Sequence, residues 1–237
     1  MKLTVTLVEI KIPENIGFIA RVMKNLGFKE LCLYRCNVNE KSFITAAHAK
    51  DILENATFLD KEEDFHNFLS NFNLVIGTTG VDSKEEKYLR KPTYTPEEIE
   101  VFGRTTILFG REDFGLLNNE LEICHAIVTI PTNKEYPIMN VSHAAAIILY
   151  EISKKRSLHK LIQEEIATSK DIDVLLENIE SLLKETWYPK HRIKKTIVAF
   201  RRVFGRSKLT KREILVLNGV FRKTREYIKK LKYESQK

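Results

Sequence analysis

Two kinds of hydrophobic patterning alternate along the first two thirds of the chain. Leu3–Ile10, Glu30–Arg35, Leu74–Thr79, Thr105–Gly110 and Ala126–Pro131 are short and rich in β-formers. Within them Asn73–Gly77 (NLVIG), Thr106–Gly110 (TILFG) and Ala126–Ile130 (AIVTI) are almost unbroken in apolar character. That pattern predicts strands buried on both faces of a parallel sheet. Between the runs, apolar residues fall three or four apart. Ile16, Ile19, Ala20, Met23 and Leu26 form one such stripe, and Gly27 is placed to supply a left-handed carboxyl-terminal turn. Ser42–Leu53 and Glu62–Phe72 read as helices. Thr95-Pro96-Glu97-Glu98 reads as a capping box with proline at the first helical position, and Asn118 as the cap of a short helix through Cys124. Asn140–Lys155 is the longest helix expected in this part. Strand and helix alternate, so the body is expected to be α/β with a parallel sheet.

After Lys155 the strand signals stop. Residues 157–169 are polar and read as a linker with partial helix, separating a body at 1–156 from a small all-α helical domain at 170–237. Ile172, Leu175, Leu176, Ile179, Leu182 and Leu183 form one helix stripe. Ile193, Ile197, Phe200 and Phe204 form a second, which Gly205 is expected to stop. Thr210 and Glu213 form a capping box for a third, with Ile214, Leu217, Phe221, Ile228 and Leu231 inward. Trp187 and Tyr188 can stack on bases, but packing of this bundle is their expected role.

Charge changes the picture of the second part more than the first. The 237 residues carry a net +7, yet from Tyr188 onward there are 17 Lys or Arg against 3 Glu. The preceding residues are net acidic. A basic segment on an acidic body points to a polyanionic partner for that segment. Three cysteines at irregular spacing, Cys32, Cys36 and Cys124, match neither a disulfide framework nor a zinc motif. They fit a reducing, cytoplasmic setting. Glu9 and Lys11 cut short the opening apolar run, and no stretch approaches the roughly 18 apolar residues of a membrane span. Neither a membrane nor a metal is expected. His48, His125 and His143 show no catalytic spacing and read as structural.

Three islands carry the candidate chemistry, each near a point where a strand-like run gives way to a helical one, the place where ligand sites form in α/β folds. In Pro13–Gly27, Asn15 stands at a helix entry. Arg21 follows it as a natural phosphate partner or the half of a surface ion pair. In Leu108–Leu116, Gly110 permits close approach of a ligand. Glu112 is an acceptor for a sugar or a neighbouring loop, and a turn held by an Arg–Glu pair is the alternative. In Ile130–Glu151, Pro131 and Pro137 restrict a loop whose backbone groups can grip an adenine, and Asn140 is either a site residue or a simple helix cap. Gly77-Thr78-Thr79-Gly80 ends another strand. No P-loop lysine follows it and no GxGxxG occurs, which argues against a nucleoside triphosphatase or a conventional dinucleotide fold.

Taken in order, NIGxxAR, FGxExxGL and IPT followed by MNVSxA resemble the three motifs of the SPOUT RNA methyltransferases. The closer branch is the TrmH-like ribose 2′-O-methyltransferases. The tail FRRVFGRSKLTKREILVLNGVFRK resembles the helical domain of the TrmJ-type tRNA methyltransferases within it. That resemblance implies an α/β fold with a C-terminal trefoil knot and an active site formed across a homodimer. It implies S-adenosylmethionine held by Thr78, Thr79, Gly80, Gly110, Ile130, Pro137, Ile138 and Met139, and a catalytic set of Asn15, Arg21, Glu112 and Asn140. It implies tRNA as substrate, at nucleotide 32 of the anticodon loop, with Arg201, Arg202, Arg206, Lys208, Lys211 and Arg212 as the RNA contacts. The family commonly carries Ser-Leu-Asn where this chain has Ile138-Met139-Asn140, so a hydroxyl is missing beside the reaction centre.

Overall fold

The structure, a computed structural model, describes residues 2–80, 93–133, 135–155 and 165–234, without the side chain of Tyr233. The apolar runs form the centre of a seven-stranded sheet. Its strands are β1 (Lys2–Val8), β2 (Glu30–Tyr34), β3 (Thr57–Leu59), β4 (Leu74–Thr78), β5 (Thr93–Tyr94), β6 (Arg104–Phe109) and β7 (Ala126–Val128). They lie in the order β3-β2-β1-β6-β4-β7-β5, and every pairing is parallel. Side chains alternate across a strand. Leu74, Ile76, Ile107 and Phe109 therefore enter one core, and Val75 and Leu108 enter the other. Both faces are apolar, which is why these runs lack a polar alternation.

Helices cover the two faces unequally. On the first lie α1 (Pro13–Asn25), α2 (Glu40–Ala46), α3 (Lys50–Glu54) and α6 (Val141–Lys154). Gly17 allows α1 and α2 to touch: a Cβ there would meet Thr45 Oγ1 at 2.0 Å and Ser42 O at 2.2 Å. The second face is covered by α4 (Glu62–Leu69), α5 (Asn118–Glu122) and one helix from beyond the body, α8 (Ile193–Arg206), whose Val198 joins that core. With α7 (Ser169–Glu185) and α9 (Lys211–Glu234), α8 also forms a third apolar cluster containing Ile172, Leu175, Leu176, Ile179 and Ile214. Three helices thus pack together as expected, but they are also docked on the sheet. Gly205 lies inside α8 rather than ending it, against the ring of His125, where a Cβ would come within 2.4 Å.

The docking continues along the chain. Asn73 donates to the carbonyls of Ile166 and Ala167, each at 2.9 Å, and the Ser169 amide donates to the Phe72 carbonyl at 2.7 Å. Residues 165–169 are therefore stitched to the start of β4; the rest of the expected linker lies outside the described residues.

Other departures are local. Ser42–Leu53 is two helices and a 3-10 turn, broken where Ala47 takes φ 51°. Thr95–Glu98 makes its expected backbone-to-carboxylate bond, at 2.9 Å, but as a turn and not a helix. No described helix is long and apolar enough to cross a membrane.

Candidate active site

Parallel pairing brings the carboxyl ends of β1, β6, β4 and β7, which are neighbours in the sheet, to one edge. The loops leaving β4, β6 and β7, with α6 behind them, enclose a cleft. Thr78, Thr79, Gly80, Gly110, Ile130, Pro137, Ile138 and Met139 all line it, and Glu112 stands at its edge. Residues spread over sixty positions of sequence thus meet in one place. Val141, Ala144 and Ile148 complete the wall from α6. Their spacing of three and four marks a helix face, but periodicity alone cannot separate a face lining a cleft from one packed in a core.

The loop after β6 is a tight hairpin. Arg111 and Gly115 exchange backbone hydrogen bonds of 3.2 and 3.0 Å, leaving Glu112, Asp113 and Phe114 at the tip. Gly115 takes φ 70°, and Gly110 packs on its backbone so closely that a Cβ would meet the Gly115 carbonyl carbon at 2.2 Å. Beneath the tip Arg111 is buried. It donates two bonds of 3.0 Å to the Glu120 carboxylate and one of 2.9 Å to Glu9. Burial alone would lower its pKa, but the hydrogen bonds and charges of Glu120 and Glu9 outweigh this and raise it. The same arginine holds the Glu9 carboxyl below its ordinary range, against the opposing effect of burial. An Arg–Glu pair does hold this turn, then, but with Glu120 and Glu9, which leaves Glu112 for other work.

Glu112 accepts from the Ile12 amide at 3.1 Å, the Lys11 amide at 3.2 Å and Asn15 Nδ2 at 2.9 Å. These groups belong to the amino-terminal end of α1, which has no side-chain cap of its own. A carboxylate there satisfies orphan donors and faces the positive end of the helix dipole. Beside it Lys11 pairs with Asp113 at 3.1 Å and lies over the Phe114 ring at 5.2 Å. Asn15 is buried, and its Oδ1 accepts from Asn140 Nδ2 at 3.1 Å. Asn140 Oδ1 caps α6, accepting from the Ser142 amide at 2.9 Å and the Ser142 hydroxyl at 2.7 Å. Glu112, Asn15 and Asn140 are thus one relay across three loops, with every amide orientation determined. Asn140 is both a cap and a member of the site.

Arg21 is not part of that relay. It is exposed on α1, and its side chain makes no hydrogen bond or ion pair with another described residue. The expected surface ion pair is not seen. Phe18, 44% exposed, stands on the same helix face three residues away.

Most of the expected RNA contacts are engaged internally. Arg201 pairs with Asp173, Lys208 with Glu100 and Lys211 with Glu165, and Arg206 donates to the Tyr94 hydroxyl. Arg202 is corrected outright as a surface contact. At 2% exposure it lies with Val198 and Gly205 on the face of α8 that packs against the sheet, out of reach of a phosphate. Arg212 is exposed. Trp187 also overturns its expectation, since it is fully exposed and packs nothing, whereas Tyr188 is partly buried with its hydroxyl 2.7 Å from Thr196 Oγ1.

Residues 2–150 match the SpoU rRNA methylase family. A tRNA (cytidine-2′-O-)-methyltransferase TrmJ of Methanocaldococcus jannaschii is 35% identical over 93% of this chain and 98% of that relative. A tRNA (cytidine/uridine/adenosine-2′-O-)-methyltransferase TrmJ of Pseudomonas aeruginosa is 29% identical over 98% and 97%. Among solved structures, TrmJ from Z. mobilis ZM4 superposes with a TM-score of 0.72 at 26% identity, covering 93% of this chain and 98% of that one. The SpoU methyltransferase AviRb of Streptomyces viridochromogenes in complex with AdoMet shares the fold at 21% identity, with a TM-score of 0.56 over 67% and 62% of the two chains. The match across the body, the strand ends converging on one cleft and the relatives' full-length similarity lead to one assignment: the chain belongs to the SpoU family of methyltransferases.

Proposed function

We propose that this protein methylates the ribose 2′-hydroxyl of tRNA at nucleotide 32 of the anticodon loop, with S-adenosylmethionine as donor, in the cytoplasm. The observation that carries the reading is the single cleft lined by loops from three strand ends and edged by the Glu112–Asn15–Asn140 relay. Two TrmJ relatives named as tRNA 2′-O-methyltransferases match across the helical part as well as the body, which supports tRNA over other RNAs.

The cleft suits a cationic nucleoside. Phe109, Val128, Ile130, Ile138 and Met139 give it apolar walls for a purine, and Gly80 opens toward Ile138, whose Cα would lie 4.0 Å from a Cβ there. Arg111 is the one cation among the described lining residues and is already bound to two carboxylates, so a polyphosphate finds no partner. Glu112 and Asp113 make the rim acidic, which favours a sulfonium. Thr78, Thr79 and Gly80 at the end of β4, Gly110 at the end of β6 and Ile130 with Pro137–Met139 after β7 would hold it.

The sulfonium supplies an activated methyl carbon, open to in-line displacement by a nucleophilic oxygen. The protein's task is to bring a ribose hydroxyl into line, favour loss of its proton and exclude water. The acceptor positions of Glu112 are engaged by three donors at the start of α1, so it acts as a clamp rather than a free base. Through it Asn15 is fixed, and through Asn15 the Asn140 amide, leaving Asn140 an N–H to orient the ribose. Arg21 offers guanidinium donors and no acceptor, so it serves as a clamp on substrate phosphate or hydroxyl.

Arg21 is not among the described residues that line the cleft. On α1 and α6, which pack together, Phe18 (44% exposed), Ile147 (39%) and Tyr150 (55%) are apolar side chains left open to solvent. We read this surface as the homodimer contact and Arg21 as acting on the partner's cleft. We also read the segment from β6 through α6 as the knotted part of the fold and the three carboxyl-terminal helices as its RNA-binding domain. The out-of-order neighbours β6, β4 and β7 and the return of α6 against α1 support the knot.

The reading is tested by incubating unmodified tRNA with the protein and S-adenosylmethionine, then mapping ribose methylation by nuclease digestion and mass spectrometry. A 2′-O-methyl group at nucleotide 32 is expected. Methylation confined to ribosomal RNA, or none on any RNA, would overturn it.

A further inference from the structure

From Thr186 to Arg212 the chain carries ten Lys or Arg and not one Asp or Glu. The second half of that run, as far as Lys211, is engaged with the body or with α7, as described above. In the first half Lys194 is paired with Glu122 of α5 at 2.6 Å, so what the corner before it presents is decided by Lys190 and Arg192. The corner between α7 and α8 presents Trp187 fully exposed, followed by Lys190, His191, Arg192 and Lys195, all exposed. Lys190, His191 and Arg192 make no ion pair with any described residue. Behind them a groove runs along α8, with Phe200 and Val203 in its floor and Tyr188, His191, Arg192 and Lys195 along its sides.

A fully exposed indole set among cations offers a flat ring on which a base can stack. A partner that covers it here must also tolerate a ring of cations. Single-stranded nucleic acid meets both demands, since its backbone neutralises Lys and Arg while each base offers a flat face to an aromatic ring. We propose that this corner is the RNA-docking surface of the helical domain, with Trp187 stacking on an unpaired base and Lys190, Arg192 and Lys195 following the flanking phosphates. The inference deepens the proposed tRNA substrate and rests on it. It moves the RNA contact from the α8–α9 turn, where the cations are spent on internal carboxylates, to the α7–α8 corner.

The chain contains one tryptophan, so its emission reports on this position alone. Titrating the full-length protein with tRNA should quench that emission saturably, and heparin, a polyanion without bases, should leave it nearly unchanged. Trp187→Ala should weaken tRNA binding by about five- to 150-fold, the range for one lost base stack, and Trp187→Phe should restore part of it. K190A with R192A should flatten the dependence of log affinity on log salt by about 1.5, whereas Trp187→Ala should leave that slope alone. These side chains are exposed, so unchanged melting temperatures are expected and will confirm folding. Unquenched emission at saturating tRNA, equal quenching by heparin, or wild-type affinity in Trp187→Ala would each overturn the proposal. The failures are separable. A protein that methylates tRNA while Trp187 stays unperturbed refutes only the docking surface, and one that quenches with RNA but transfers no methyl group refutes only the reaction.

Discussion

Asn140 does two jobs with one amide. Its oxygen caps α6 and its nitrogen holds Asn15, so an alanine there would confuse stability with function. Asn140→Asp separates them. An aspartate caps a helix as well as asparagine does, but its carboxylate would face Asn15 Oδ1 with no proton to give. Asn15 could turn its amide to meet it only by releasing Glu112. The variant should therefore unfold in urea within about 0.5 kcal/mol of wild type, yet lose at least tenfold in turnover of tRNA, by about the 1.4 kcal/mol that one misplaced hydrogen bond is worth. Wild-type turnover would make Asn140 a cap and nothing more. Arg111 poses the opposite case, a residue whose effect reaches the cleft only through the hairpin it supports. Arg111→Ala strands Glu120 beneath the tip and leaves Glu9 its longer pair with Arg35 at 3.7 Å, and a broken buried pair costs about 3–5 kcal/mol. Replacing all three by Met, Gln and Gln should recover most of that loss in denaturant melts, because the uncompensated charge, rather than the missing contact, is what destabilises.

Elements differ in how openly their sequences announce them. The central strands β4, β6 and β7 carry runs that are almost unbroken in apolar residues, a signal that local neighbours cannot imitate, whereas β1 alternates with the buried Thr4 and Thr6. Edge strands β3 and β5 are three and two residues long, and no periodicity can build up over that length. The break at Ala47, φ 51°, directly follows the turn of α2 that packs on α1 at Gly17, a tertiary contact that periodicity cannot register. Gly205 looked like a helix stop because a glycine late in a stripe usually is one; here it is a close contact with His125. The motifs named Asn15, Glu112 and Asn140 but could not show that Glu112 caps α1 from about a hundred residues away. That docking of α8 on the sheet has a pH signature. His125 Nδ1 accepts from the Val75 amide at 3.1 Å, and Nε2 lies 3.4 Å from Ser169 Oγ. Burial, and secondarily the Arg201 charge, push the imidazole down to about 3 from 6.5. The folded ring therefore stays neutral while the unfolded chain takes up a proton below 6.5. Stability from this group is fully present above pH 6.5 and falls as the pH drops toward 3, by about 1.4 kcal/mol per unit. Urea melts of wild type between pH 6.5 and 4.5 should show that slope, and His125→Asn should be less stable at pH 8 but lose this component. Equal slopes in both proteins would mean the ring titrates normally and the docking is loose.

At the scale of the whole molecule, Arg21 stands apart from the relay. Glu112, Asn15 and Asn140 are joined, whereas Arg21 is exposed three residues from Phe18 on α1, and Ile147 and Tyr150 are exposed on α6, which packs against α1. If two copies meet there, each cleft takes its relay from one subunit and its Arg21 from the other. Arg21→Ala and Asn140→Asp should then each be inactive alone as homodimers. Mixed in equal amounts and allowed to exchange, half the dimers become mixed. Each mixed dimer gathers both defects in one cleft and leaves the other intact, so about a quarter of wild-type turnover should return. Were Arg21 to serve its own chain's cleft, every site in the mixture would keep one defect and no activity would reappear. A charge placed on this surface, as in Ile147→Asp, should abolish the recovery by keeping the chains apart, which sedimentation would show as a monomer of 27.6 kDa. The two arrangements thus differ by whether the mixture's turnover rises above the mean of the two single variants measured alone.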